Sequence, residues 1–200
     1  MAITINGTGS ITGLTAGGLP DGSVTAADIE TSLDLTGKTV TLPSGTGGKI
    51  LQVVQTVKTD PTSTTSTSYT DITGMSVTIT PSSSSNKILI IPDLALSGPS
   101  GDIGYAQLLR GSTVIYGGDS ATHNGLYGCY SGAPADGSFV YGVNIVTRMF
   151  LDSPATTSAT TYKCQFKTNS GTFYLNRTYL TSGNYDIRPA SSITAIEVAA

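Results

Sequence analysis

The sequence predicts an all-β protein, and three observations carry that reading. Charged residues make up only 12% of its 200 residues, against about 25% in an average soluble protein. Their place is taken by Thr, Ser and 24 Gly, a mixture that suits half-buried strands joined by tight turns and is poor for helices. From Gly48 onward apolar residues recur at every second position, the period of a strand with two unlike faces. With a net charge of −3 and 38% hydrophobic residues, the chain has enough apolar material to fold. Its length fits one full domain and a smaller appendage.

The appendage is residues 1–48, which contain no Tyr, Phe or Cys and set their apolar residues singly among Gly, Thr and Ser. Such a stretch builds no core of its own. One short helix is expected from Thr25 to Leu33: Ser23 or Thr25 can cap it, Asp28 and Glu30 favour its positive end, and Ile29 and Leu33 share a face. The rest reads as extended chain, ordered by contact with sister chains or a larger assembly.

Residues 49–200 read as a β-sandwich, with a jelly roll as the first choice. In the first strand, Lys49 to Val57, Leu51, Val53 and Val57 share a face. After a Ser/Thr loop around Pro61, Met75, Val77 and Ile79 alternate with Ser76, Thr78 and Thr80, giving one dry and one wet face. The Ser82 to Ser85 run is a turn. Lys87 to Leu96 begins apolar on both faces and is expected at the centre of a sheet, with Pro92 forcing a bulge or an exposed edge midway. Tyr105 to Arg110 and Thr113 to Tyr116 form a hairpin about Gly111-Ser112. Regularity is lost between Gly117 and Ser138. Phe139, Tyr141, Val143, Ile145, Met149 and Leu151 then keep one parity and predict the longest strand. Tyr162, Cys164 and Phe166 point inward against outward Lys163, Gln165 and Lys167, and Asn169-Ser170-Gly171 turns the chain into Thr172 to Arg177. Ser192 to Ala199 closes the domain.

Few residues offer chemistry. Gly118-Asp119-Ser120 with His123 resembles a nucleophile and base, but the strand, turn and helix of a nucleophile elbow are missing, and an exposed turn accounts for it. Gly7-Thr8-Gly9 imitates a dinucleotide fingerprint without its glycine spacing or its helix. A paired-carboxylate glycosidase would need two of Asp93, Asp102, Asp119, Asp136 and Asp152 to meet in space, whereas Glu30 and Glu197 look structural. One His and two distant Cys make no closed metal site, so no metal and no cofactor are expected. Cys129 and Cys164 read as thiols in a reducing compartment. Asn176-Arg177-Thr178 fits a glycosylation sequon, and without a secretion signal it reads as chance. A pI near 4.9 with scattered Lys and Arg excludes nucleic acid as a partner. No apolar run reaches the roughly 18 residues that membrane insertion needs. The chain is therefore expected to be soluble and made in a cytoplasm.

The remaining candidates for binding are Tyr116, His123, Asn124, Tyr127 and Tyr130. Sugar rings stack on aromatic faces while amides bond their hydroxyls; the same tyrosines could equally pack the domain or an interface between chains.

Two stretches carry a family resemblance. Ile11-Thr12-Gly13-Leu14-Thr15-Ala16-Gly17-Gly18-Leu19-Pro20-Asp21-Gly22-Ser23-Val24, running on through Leu42-Pro43-Ser44-Gly45, resembles the leader of bacteriophage tail fibre proteins. Ser68-Tyr69-Thr70-Asp71-Ile72-Thr73-Gly74, Leu109-Arg110-Gly111-Ser112-Thr113, Leu151-Asp152-Ser153-Pro154-Ala155 and the closing Ser191 to Val198 are similar to a domain found at fibre ends. The resemblance spans most of the chain and brings no catalytic residue with it. It implies a homotrimer located in the virion and assembled in the host cytoplasm. Residues 1–48 would attach to tail or baseplate proteins, and the C-terminal domain would face a host surface glycan or protein. A long repetitive shaft is missing, so a short fibre is implied, with a head fibre or capsid decoration subunit as the alternative. A surface-polysaccharide hydrolase is the third reading.

Overall fold

The computed structural model of the chain describes residues 49–99, 102–116, 127–130, 142–182 and 186–200, with the backbone alone at 127–130. The chain divides into two units between Thr46 and Gly47, and all the described residues belong to the second. The helix expected at Thr25 to Leu33 lies outside them.

Twelve strands occur among the described residues: β1 (Ile50–Lys58), β2 (Thr62–Thr64), β3 (Thr70–Ile79), β4 (Lys87–Ser97), β5 (Ile103–Arg110), β6 (Thr113–Tyr116), β7 (Tyr127–Tyr130), β8 (Asn144–Thr147), β9 (Phe150–Asp152), β10 (Thr160–Thr168), β11 (Phe173–Leu175) and β12 (Ser191–Val198). All pairings are antiparallel. The first sheet runs β1-β12-β4-β11-β2 with β8 and β9 on the other edge of β4, and the second runs β3-β10-β5-β6 with β7 also on β5. If β8 and β9 are read as one interrupted strand and the short β2, β7 and β11 are set aside, eight strands remain. Their chain order is 1-8-3-6 in one sheet and 2-7-4-5 in the other, the topology of a jelly roll. The expected fold class is therefore observed.

Alternation builds the core. Met75, Val77 and Ile79 of β3, Ile88, Ile90, Leu94 and Leu96 of β4, Tyr162, Cys164 and Phe166 of β10, and Ile193 and Ala195 of β12 fill the space between the sheets. In β3 the inward parity shifts between Ile72 and Met75. Gly74 stands between them at φ +84°, a left-handed conformation open to glycine at no steric cost, and the register against β10 slips there. Besides the core, two contacts between the sheets bear on the site. The Phe173 ring of β11 lies so close to the backbone of Gly98 and Gly104 that a Cβ there would come within 2.4 Å and 2.1 Å of it. At the other contact, Asp152 of β9 accepts from Arg110 Nη1 at 2.7 Å and from Tyr162 Oη at 2.7 Å.

Two expectations need correction. Phe139 and Tyr141 of the strand expected through Leu151 lie outside the described residues; the described part is two strands, β8 and β9, in which Ile145, Met149 and Leu151 are the exposed side chains, whereas Val146 and Phe150 pack on the core. The break has a chemical cause in β4. The pairs Leu94 with Val146 and Leu89 with Leu151 keep one register across the gap, and Pro92 lies opposite Arg148, accepting from its N–H at 3.2 Å. Pro has no N–H to return. Pro92 thus sits in a central strand with its missing donor turned to the β8–β9 gap. Secondly, the stretch from Gly117 to Ser138 contains a regular element, β7. The Asn169 to Gly171 turn is observed, and it carries the chain from β10 across to β11 in the other sheet.

Candidate functional site

Among the described residues, the buried carboxylates and the Cys164 thiol that could act chemically are fixed by the fold. Glu197 of β12 is fully enclosed. It accepts from Gln52 Nε2 at 2.6 Å and from Ser82 N, Ser82 Oγ and Asn86 Nδ2 at 2.7 Å each. Burial alone would raise its carboxyl; the bonds from Asn86, Gln52 and Ser82 outweigh that and hold it at about 2. A carboxylate with four donors ties β1, the 82–86 turn and the last strand together. Asp102 similarly accepts from Ile103 N at 2.8 Å and from Ser170 N and Oγ at 3.1 Å, fixing the 169–171 turn to the start of β5.

Asp152, with both oxygens on Arg110 and one on Tyr162, is the third fixed carboxylate. Burial, and then the Asp152 carboxylate, drive the Tyr162 phenol upward, so it stays a donor. Asp93 is partly exposed and accepts from Thr147 Oγ1. Asp152 pairs with Ile88 on β4, five residues from Asp93, which is on the order of 16 Å at strand rise. Glycosidase carboxylates stand at most about 9.5 Å apart, so this pair does not form one. Asp119 and Asp136 lie outside the described residues. Cys164 is a buried free thiol, pushed up to about 12 by burial, and does not ionise near neutrality. The side chain of Cys129 lies outside the description. Asn176 is wholly buried at φ +62°, donating Nδ2 to Lys58 O and Asp60 O and accepting from Ser191 Oγ. It is a turn anchor inaccessible to glycan transfer, in keeping with the sequon as chance.

Of the aromatic cluster, Tyr116 is half-buried and stacks on Phe150, ring centroids 5.0 Å apart, across the open edge of the sandwich. One face of its ring is thus used in packing. Tyr127 and Tyr130 end β7, their backbones opposite Ala106 and Ile103. His123 and Asn124 lie outside the described residues. A shallow cleft of about 220 Å³ is lined by Pro61, Thr62, Ser63, Tyr174 and Arg177. Ligand pockets run about 300–1,000 Å³. The Arg177 guanidinium lies 4.4 Å from the Tyr174 ring centroid and donates to Thr178 O and Tyr179 O. This cleft offers one fixed cation and the hydroxyl-bearing side chains of Thr62, Ser63 and Tyr174, without a base beside them. Among the described residues no three His, Cys, Asp or Glu gather to hold a metal.

The described residues also present an exposed apolar face. On the outer face of the first sheet, Val53, Ile196, Leu89 and Leu151 stand side by side across β1, β12, β4 and β9. Leu51 and Val198 flank this row on one side, and Ile91 and Met149 on the other. Val53 is 58% exposed, Met149 66% and Leu151 49%. The sequence carried a signal for it in the doubly apolar start of β4 and in the odd parity of β1 and β9, but alternation alone does not say which face is outside.

No family model matches the chain, and no curated protein does. Among solved structures it is similar to chains of the infectious bursal disease virus VP2 subviral particle (15% identity, 74% of this chain and 37% of that chain, TM-score 0.37). It is also similar to T=1 particles derived from that virus (14%, 74% and 36%, TM-score 0.37) and to the T13 particle (16%, 74% and 36%, TM-score 0.38). The chain spans little more than a third of those chains, and at these TM-scores the likeness carries no argument.

Proposed function

We propose that the chain is a structural subunit of a virion, a short bacteriophage tail fibre that works as a homotrimer in attachment to the host surface and performs no catalysis. The observation that carries the structural reading is the commitment of Glu197, Asp102, Asp152 and Cys164 to the fold: each is buried or locked in hydrogen bonds, and none is placed to act on a substrate. The fibre and the trimer are supported by the resemblance of residues 11–24 and of the C-terminal stretches to fibre proteins. The low charge and the jelly-roll fold suit a part that is packed and exposed rather than one that turns over substrate.

The test is particle labelling with an antibody to the full chain, joined to adsorption of the purified protein to host cells. Tail labelling, with binding that weakens in Tyr127→Ala/Tyr130→Ala, is the expected result. Labelling of the head instead would favour a head fibre or decoration subunit, and absence of binding by the unaltered chain would sink the attachment role. Loss of host-polysaccharide length that disappears in Asp119→Ala would overturn the non-catalytic reading.

A further inference from the structure

The two outer faces of the sandwich are finished differently, and the difference identifies a partner. On the second sheet the outward side chains bond to one another. On the first, the row of Val53, Ile196, Leu89 and Leu151 bonds to nothing and is bordered by polar groups that are already satisfied. At one border Lys87 Nζ donates to Ser153 Oγ at 2.9 Å. At the other, Thr147 donates to Asp93, and within the face Gln55 Nε2 donates to Thr194 Oγ1 at 2.9 Å. Four strands about 4.8 Å apart and three rows about 7 Å apart give an apolar centre on the order of 300 Å² in plan, before side-chain relief adds to it. An apolar centre of that size inside a polar rim is the anatomy of a protein interface, which takes about 800 Å² from each partner once the rim is included.

We infer that this outer face of the first sheet packs against other copies of this chain. The inference rests on the self-association in the functional reading above and adds the surface that performs it. Three features point to a copy rather than another occupant. The centre of the face carries no charged side chain, and the charges at its border, Lys87 and Asp93, are each held by a neutral hydroxyl, which speaks against nucleic acid and charged peptides as the occupant of the centre. The surface is the open face of an antiparallel sheet, which packs well on another apolar sheet face. Both lateral halves are apolar, Leu51 and Val53 on the β1 side and Met149 and Leu151 on the β9 side, so one half of a copy meets the other half of its neighbour, a head-to-tail contact that becomes a ring when the rotation between neighbours divides a full turn.

The test uses the full chain with Val53→Cys and Leu151→Cys made separately. Both positions are exposed in a single copy, and Ser76→Cys on the outer face of the second sheet is the control. Light scattering is expected to give a multiple of the 20.4 kDa chain mass. Thiol reagent should label Ser76→Cys at least tenfold faster than either face variant. A short bismaleimide should join Val53→Cys chains to Leu151→Cys chains in a mixture that has been dissociated and reassociated. A monomer, or face thiols as reactive as the control, would overturn the inference. So would shielded thiols that never cross-link between chains, because the covering would then belong to the same chain. Failure to bind host cells would leave these outcomes unchanged, so the two readings fail separately.

Discussion

The outer faces of the two sheets share strand alternation and twist and differ in what the outward residue does. On the second sheet, Asp71 accepts from Lys163 Nζ at 2.8 Å and from Gln165 Nε2 at 2.7 Å, Gln107 donates to Gln165 at 2.7 Å, and the Thr78 and Thr161 hydroxyls bond at 2.8 Å. Lys167 lies between the rings of Tyr69 and Tyr105, 4.8 Å and 5.1 Å from their centroids. On the first sheet the matching positions hold Val53, Leu89, Leu151 and Ile196. One face is complete in water and the other is complete only when covered. The lesson is that binding capacity in a jelly roll is read from the outward residues, since the inward ones are alike in chemistry on both sheets.

The comparison breaks most completely where the sheets are joined. Gly104→Val would drive a branched side chain into the Phe173 ring, and an overpacked joint costs about 3 kcal/mol; urea unfolding should show the midpoint falling, with both faces lost together. Asp152→Ala strands the Arg110 guanidinium and the Tyr162 hydroxyl, a loss also of about 3 kcal/mol, only slightly reduced by the partial exposure of Arg110. Tyr162→Phe should lose about 1 kcal/mol, the worth of one hydrogen bond.

Acid should act next, through Glu197. Its carboxyl is depressed in the folded state from 4.5 to about 2, so its stabilisation is fully present above pH 4.5 and is lost as pH falls toward 2. Glu197→Gln should flatten acid unfolding in that window, measured by circular dichroism against pH. The smallest effects sharpen the contrast itself. Asp71→Ala removes an exposed ladder and should cost under about 1 kcal/mol at any protein concentration. Leu151→Ser should change the unfolding free energy by under about 0.5 kcal/mol at high dilution, while abolishing the rise in midpoint with concentration that self-association confers. Equal concentration dependence in the two variants would erase the distinction between the faces.

Much of the fold was legible in the sequence because alternation is local. The inward residues of β3, β10 and β12 follow from the order of apolar and polar side chains, and the β5–β6 turn from Gly111-Ser112. The candidate site was far less legible. The tyrosines singled out between Gly117 and Ser138 stand out by composition, yet Tyr116 uses a ring face on Phe150. The stripes of Leu51, Val53 and Val57 and of Ile145, Met149 and Leu151 are plain in the sequence, but not that they face outward, because an apolar stripe on one strand looks the same whether it is inside or outside.

By itself, the sequence determined the class of the protein: strands, tight turns, a two-faced period and few groups able to do chemistry. Only the tertiary structure decided that β1 pairs with β12 across most of the chain, that Pro92 turns its missing donor into the β8–β9 gap, and that Val53, Ile196, Leu89 and Leu151 fall into one row. The physical reason is the range of the forces involved. Side-chain period is set by neighbours along the chain, whereas strand order and the choice of covered face are set by partners more than a hundred residues apart, for β1 and β12 as for β2 and β11.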